Sequence, residues 1–304
     1  MGTLTAEDFY QEFTRRNQGI VTERTQEALG RSRVLIAGCG STGGAAVEPL
    51  VRIGVQKFSL ADNGEFELNN LNRQHARYSD LQRNKADVAA QRAQEINPHA
   101  DVLVEPSGIN AENVARLTDG AELVIDGVDV TDMRGWHAKL MLHQTAAAAG
   151  KPVLSGYDMA GVQYVRYYDY RSGGTAPLQG KIRGSDLKKS DPWRLLIRVI
   201  PIRTIPLEMI ESVRPNLGNP DYHVPQLVYT SQLFGALISH MSAEILSGRK
   251  PRPEVVIDLH DIVRRRPARA RVAGRRALEL ARAGADILRL FSGASAEKTP
   301  TIAR

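Results

Sequence analysis

A short apolar run followed by a glycine-dense turn and a second helix constrains this chain most. Val34-Leu35-Ile36-Ala37 fits a strand buried on both faces. Gly38-Cys39-Gly40-Ser41-Thr42-Gly43-Gly44 turns into a helix carrying Ala45, Ala46, Val47, Leu50, Val51 and Ile53. Phe58–Asp62 is a second strand, ending in an acid 18 residues past Gly44. Glycines at such a turn let a phosphate approach the free N–H groups of a helix start, and an acid at this distance suits ribose hydroxyls. The pattern fits NAD, FAD, S-adenosylmethionine or ATP alike. Pro49, well inside the helix, is expected to kink it.

The rest of the first half continues the alternation. Helices are expected over Ala86–Ile96 (capped by Ser79 or Asp80), Ala111–Leu117 and about Met133–Ala149, and strands at Val102–Val104, Leu123–Asp126 and Val153–Ser155. This spacing predicts an α/β fold, a Rossmann-like mostly parallel sheet with helices on both faces. From about residue 160 the character changes. Val162–Tyr168 alternates without an intervening helix, so antiparallel strands extend the sheet in the C-terminal half. Residues 171–192, rich in Gly, Ser, Lys and Asp, read as a mobile loop. A long helix over about Gln226–Leu246 and a strand at Val255–Leu259 complete the body.

Charge is unevenly placed. The 304 residues carry a net +6, but residues 264–304 hold 11 Lys/Arg against 3 acids, leaving residues 1–263 at a net −2. A basic tail, not a basic body, accounts for the balance, so nucleic acid is not an expected partner of the globular part. The tail reads first as a solvated extension, with one amphipathic helix, about Arg275–Phe291, whose apolar face (Leu278, Ala281, Leu288 and Phe291) could instead dock on the body or bind a partner. No run approaches the ~18 apolar residues of a membrane span, and no secretory signal is visible; the expectation is a cytoplasmic protein. Cys39 is the only cysteine, which leaves no disulfide and no cysteine zinc site; inside the turn it suits buried packing.

After Asp62 comes a polar run, Asn69-Asn70-Leu71-Asn72-Arg73-Gln74. With Leu60-Ala61-Asp62 it resembles the ThiF/MoeB/HesA adenylyltransferases, prokaryotic relatives of the ubiquitin-activating enzymes. The resemblance is good over residues 12–160 and looser to about Asp258. It implies an adenylation domain over 1–263, its nucleotide-binding half at about 30–160 and its substrate side at 160–263, followed by the 264–304 tail. By resemblance Gly38, Gly40 and Gly43 line the phosphates of ATP and Asp62 holds the ribose; Ser41, where relatives often have glycine, is a smaller departure that keeps a donor for a phosphate. Asn70, Arg73 and Gln74 match the phosphate-contacting run, Lys85 the phosphate lysine, and Asp129 the aspartate associated with Mg²⁺. Arg134 fits the arginine that follows. Arg16 matches the arginine that homodimers of the family supply to the partner's ATP. Read alone, Arg16 is a solvated surface residue, Lys85 an exposed helix lysine and Asp129 a loop-capping acid.

The resemblance implies ATP- and Mg²⁺-dependent activation of a carboxylate as an acyl-adenylate. The substrate it implies is the C-terminus of a small ubiquitin-like sulfur carrier protein or of a peptide. Alternatives are a dehydratase or cyclase acting on a small or tRNA-borne carboxylate, and a non-catalytic nucleotide-binding partner. Three departures matter: there are no Cys-x-x-Cys zinc pairs, no cysteine lies in the 171–181 region where the family carries one, and Gly64 stands where many members have a second aspartate. Without that cysteine, the adenylate must pass to an external nucleophile or collapse internally.

Overall fold

The sheet is built from strands whose successive side chains enter different cores. In β1 (Arg33–Ala37), Leu35 and Ala37 pack in one apolar cluster and Val34 and Ile36 in the other. Burial on both faces explains the unbroken apolar run. The computed structural model describes residues 5–216, 219 and 222–291, with 285–291 as backbone only.

In chain order, α1 (Ala6–Thr14) and α2 (Glu23–Arg31) precede β1, and α3 (Gly43–Ile53), β2 (Lys57–Ala61), α4 (Lys85–Ile96) and β3 (Asp101–Glu105) follow. Then come α5 (Val114–Asp119), β4 (Leu123–Asp126), α6 (Met133–Ala148), β5 (Val153–Met159) and β6 (Val162–Tyr168). Short helices α7 (Gly184–Leu187), α8 (Pro192–Val199) and α9 (Leu207–Val213) lead to α10 (Val228–Leu246), β7 (Glu254–Asp258), α11 (Leu259–Val263) and α12 (Arg266–Phe291). The seven-stranded sheet has the order β3-β2-β1-β4-β5-β6-β7. β1 to β5 are parallel, while β6 and β7 are antiparallel additions, in line with the alternation over Val162–Tyr168. Leu50, Ala89, Phe234 and Met241 cover one face, and Leu117, Trp136 and Leu142 the other.

Pro49 has a place in this packing. It removes the donor that would bond the Ala45 carbonyl, yet α3 continues across it. There α10 makes its approach: a Cβ on Gly235 would lie 2.3 Å from the Ala45 oxygen and 3.0 Å from Pro49 Cγ.

Three expectations are corrected. The cap of α4 is Asn84, whose Oδ1 accepts from Ala86 N at 2.8 Å; Tyr78–Asp80 forms a separate 3₁₀ turn. Residues 171–192 are not a bare loop, because short helical turns bury Leu178 and Ile182 (0% and 2% exposed). The described part of the tail is not a solvated extension. Helix α12 starts nine residues earlier than expected and lies along α9, where Arg276 Nε donates to the Ile205 carbonyl at 2.8 Å and Glu279 pairs with Arg214. Its docking face runs through Arg276, Glu279, Leu280 and Ala283, whereas Leu278 is 51% exposed. The expected face was missed because charged residues make half of the true one; the side chains of Leu288 and Phe291 lie outside the described residues. Among the described residues, no helix is long and apolar enough to cross a membrane.

Candidate active site

The strand order reverses between β1 and β4, and a crevice opens outside their carboxyl ends, where open α/β sheets bind ligands. A cavity of about 720 Å³ lies there, lined by Gly38, Gly40 and Ser41 of the turn. Gly43 is placed beneath the turn instead: a Cβ on it would fall 1.9 Å from the Gly38 carbonyl oxygen. It permits the turn without facing the cavity. Cys39 is buried in the core, and burial pushes its thiol well above the ordinary value, so it is packing and not a nucleophile.

Asp62, just past β2, accepts from Cys39 N at 2.5 Å and from Gly64 N at 2.7 Å. Burial raises its carboxyl pKa, partly opposed by those two donors and by Lys85. Lys85 opens α4 and lines the cavity with no ion pair among the described residues. At Gly64 a side chain would start 3.1 Å from Asp62 Oδ1 and 3.5 Å from Lys85 Nζ, so glycine leaves room between acid and ammonium.

The polar run forms a 3₁₀ turn. Asn70 is turned inward, its Oδ1 accepting from Glu67 N at 3.1 Å and its carbonyl from Gln74 N at 2.8 Å. It shapes the turn without lining the cavity, whereas Arg73 and Gln74 reach it. Arg73 Nε bonds Gln226 Oε1, and Nη1 donates to the Asn69 carbonyl at 2.9 Å and to Asn72 Oδ1 at 2.8 Å. Burial lowers its pKa, with Asp158 and Asp129 opposing. Gln74 Oε1 is buried with no partner, a polar group awaiting a donor.

Across the crevice, Asp129 and Arg134 line the cavity; Arg134 is 94% exposed and pairs with Asp132 at 3.0 Å. Asp129 Oδ1 accepts from Thr131 N at 2.9 Å. Arg16, on the exposed 3₁₀ turn Arg15–Asn17, does not line its own chain's cavity. Among the described residues no group of three or more acidic, histidine or cysteine side chains is placed to hold a metal unaided. A single aspartate beside phosphates still suits Mg²⁺, which keeps water and phosphate ligands.

Sequence reasoning missed four features. Gln226 fixes Arg73 from 153 residues away. Asp158, at the end of β5, accepts from Ser41 Oγ at 2.8 Å; burial raises its carboxyl pKa, offset by Ser41 and Arg73. Neither carries a motif. Gly135 was unremarkable in sequence, yet a Cβ there would meet the Asp129 carbonyl oxygen at 1.6 Å. Gly135→Ala is therefore expected to displace the Asp129 loop by about an ångström and to slow any reaction depending on it by about 10²-fold; an unchanged rate would show that Asp129 tolerates displacement.

The fourth is a buried network behind that loop. Asp126 Oδ2 accepts from Lys139 Nζ, His143 Nε2 at 2.9 Å and Ser155 Oγ at 2.5 Å, while Oδ1 accepts from Val128 N at 3.3 Å. Leu178 N donates to Tyr170 Oη at 3.1 Å, which leaves the tyrosine proton for His143 Nδ1 at 2.8 Å and puts the imidazole proton on Nε2. Burial alone would raise the Asp126 pKa, but Lys139 and His143 reverse this and hold it below the carboxylate range. Burial lowers His143. Both folded-state values are depressed, so their stabilisation is complete above the unfolded values and lost as pH falls beneath them. Urea midpoints are expected to decline first below about pH 6.5, as His143 must charge, and again below about pH 4, as Asp126 must be protonated. A midpoint level down to pH 5 would refute a neutral buried His143.

Part of the turn and the charged residues Asp62, Arg73, Lys85 and Asp129 line one cavity, and the ThiF family model matches residues 14–263. The chain belongs to the ThiF family. It is 32% identical over 134 residues to the sulfur carrier protein ThiS adenylyltransferase of Bacillus subtilis, covering 43% of this chain and 38% of that protein. It is 27% identical over 215 residues to the tRNA threonylcarbamoyladenosine dehydratase of the same organism, covering 68% of this chain and 80% of the relative. Among solved structures, PaaA superposes with a TM-score of 0.61 at 18% identity over 86% of this chain and 73% of that one, a likeness of fold. This ThiF-family chain spans well under half of several curated relatives, 21% of one and 38% of the ThiS adenylyltransferase.

Proposed function

We propose that this ThiF-family protein is an adenylyltransferase that activates a carboxylate with ATP and Mg²⁺. In the reaction a carboxylate oxygen attacks the α-phosphorus of ATP, the bond from that phosphorus to the bridging pyrophosphate oxygen breaks, and acyl-adenylate and pyrophosphate result. Negative charge grows on the non-bridging oxygens and the leaving group, so fixed donors and cations must surround them. The observation that carries this reading is the gathering of the turn, Asp62, Arg73, Gln74, Lys85 and Asp129 around one cavity. Arg73 contributes planar donors and Lys85 a point charge. The unpartnered Gln74 Oε1 suits a donor such as a sugar hydroxyl. Asp62 keeps lone pairs for ribose hydroxyls beside its two backbone donors. Mg²⁺, held by Asp129, would draw charge from the phosphates.

The substrate of this reading is the C-terminus of a small ubiquitin-like sulfur carrier protein or of a peptide, in keeping with what the ThiS adenylyltransferase is named for. The protein works as a homodimer, with Arg16 supplied to the partner's site; its exposure outside its own cavity is what that arrangement needs. With Cys39 as the only cysteine and buried, the adenylate passes to an external nucleophile. The absent cysteine, and the extent of the match to a tRNA dehydratase, favour a second reading: adenylation of a tRNA-borne carboxylate, whose acyl carbon an internal nucleophile then attacks with release of AMP, a net loss of water from the acid. ATP–pyrophosphate exchange, dependent on an added carrier protein or on tRNA, decides between them. No exchange with any carboxylate, despite ATP binding, would leave a non-catalytic nucleotide-binding protein.

A further inference from the structure

The far end of the cavity is walled by side chains that phosphate chemistry does not use. On α8, Trp193, Leu196, Ile197 and Ile200 are spaced as one helix face continued by a residue just past its end, and all four line the cavity. Leu195 and Val199, on the opposite side, are buried in the core at 0% and 3% exposure. Helix α8 thus has one apolar face within the core and a second that lines the cavity, where Leu196 and Ile200 also touch the core. Met209, Ile210 and Val213 of α9 line the same space, and Leu280 and Ala283 of α12 close it. An apolar face is normally buried against another element; here three helices turn theirs toward a chamber continuous with the nucleotide crevice.

The polar frontier of that chamber is narrow: Ser41, Asp158, Arg73 and Gln226 stand in one hydrogen-bonded or charge-coupled group and belong to the same cavity. A carboxylate must meet the α-phosphate at the crevice, so whatever is attached behind it occupies the apolar end. A glycine-rich tail or a nucleoside would leave these walls unmatched. We propose that the chamber is an acyl pocket, and that the acid activated here carries a bulky apolar group, aryl or branched aliphatic, in the chain behind its carboxylate. The pocket rests on the adenylation reading and, within it, favours a peptide or a free acid over a carrier-protein tail or a tRNA-borne carboxylate. Helix α12 is part of it, which gives the basic C-terminal segment a role in selecting the acid. The same chemistry is presented by a free hydrophobic acid and by a peptide C-terminus ending in an apolar residue.

Acyl-sulfamoyl adenosines, stable mimics of acyl-adenylates, test this with the full chain by calorimetry. The 4-phenylbutyryl analogue is expected to bind at least about tenfold tighter than the acetyl analogue. That advantage is expected to shrink in Ile197→Asp and, on a separate helix, in Leu280→Asp, each checked for folding by circular dichroism. Equal affinity for the two analogues in the unaltered protein overturns the acyl pocket while leaving adenylation standing. If neither analogue binds and ATP does not either, the adenylation reading falls and the pocket with it. A tripeptidyl analogue ending in phenylalanine that binds tighter than the phenylbutyryl one identifies a peptide C-terminus; weaker binding identifies a small free acid.

Discussion

Replacing Arg73 with alanine is expected to slow ATP–pyrophosphate exchange by about 10²–10³-fold, the cost of removing one preorganised donor from a transition state that gathers charge, with little change in the urea midpoint. The expectation follows from how the guanidinium is held. Gln226 fixes Nε, and Asn69 and Asn72 fix Nη1, so the planar group is positioned before substrate arrives. Nη2 makes no hydrogen bond among the described residues, which leaves a donor for phosphate. Arg73→Lys is expected to recover little, because an ammonium cannot occupy both anchoring bonds and still present a donor. Gln226→Ala keeps the charge and loosens its aim, so a fall of about tenfold is expected. Undiminished exchange in Arg73→Ala would remove the residue from the reaction, whatever its place in the cavity.

Lys139→Met is expected to destabilise the fold by about 3–5 kcal/mol. The substitution keeps most of the side-chain volume but leaves the Asp126 carboxylate, 0% exposed, without its cation. His143 is left as its nearest donor, with burial opposing a charge on the imidazole. Against a total stability of about 5–15 kcal/mol, such a loss is visible as a lowered urea midpoint with an unchanged slope. The double variant Lys139→Met/Asp126→Asn is expected to be more stable than Lys139→Met alone, because no unpaired buried charge remains. A change within about 1 kcal/mol for Lys139→Met, the range of an exposed pair, would show that Asp126 is not ionised there. Since Asp126 also accepts from Val128 N, the same variant is expected to lower exchange through the Asp129 loop.

Much of this was legible in sequence, for physical reasons that differ by region. Strands β1 and β4 declare themselves because burial on both faces demands unbroken apolar runs, and β6 because an antiparallel strand alternates. Gly38, Asp62, Arg73 and Lys85, which line the cavity, stood out in sequence because backbone approach and phosphate charge restrict residue types at fixed offsets along a continuous stretch. Gln226 and Asp158 were invisible because their partners, Arg73 and Ser41, lie 153 and 117 residues away. Gly43 and Asn70 were expected at the ligand and are placed as turn formers, since a motif marks residues that shape a loop as readily as those that face its ligand. The docking of α12 was obscured by its arginines, which read as solvated until Arg276 found backbone carbonyls and Arg214 found Glu279.

The start of α10 fastens several parts at once. Ser231 Oγ donates to the Ser41 carbonyl at 2.5 Å, Thr230 Oγ1 to the Ala160 carbonyl at 3.0 Å, and Gln226, just ahead of the helix, holds Arg73. The glycine turn, made early in synthesis, therefore waits for residues almost 200 positions downstream before its backbone is fully bonded, an interval of about 10–40 s at ordinary elongation rates. A nascent chain stopped before residue 226 has six of the seven strands but not the clamp on Arg73. On the proposed reading, ATP affinity is then acquired late on the ribosome, and nucleotide binding reports that the second half of the polypeptide has arrived and packed.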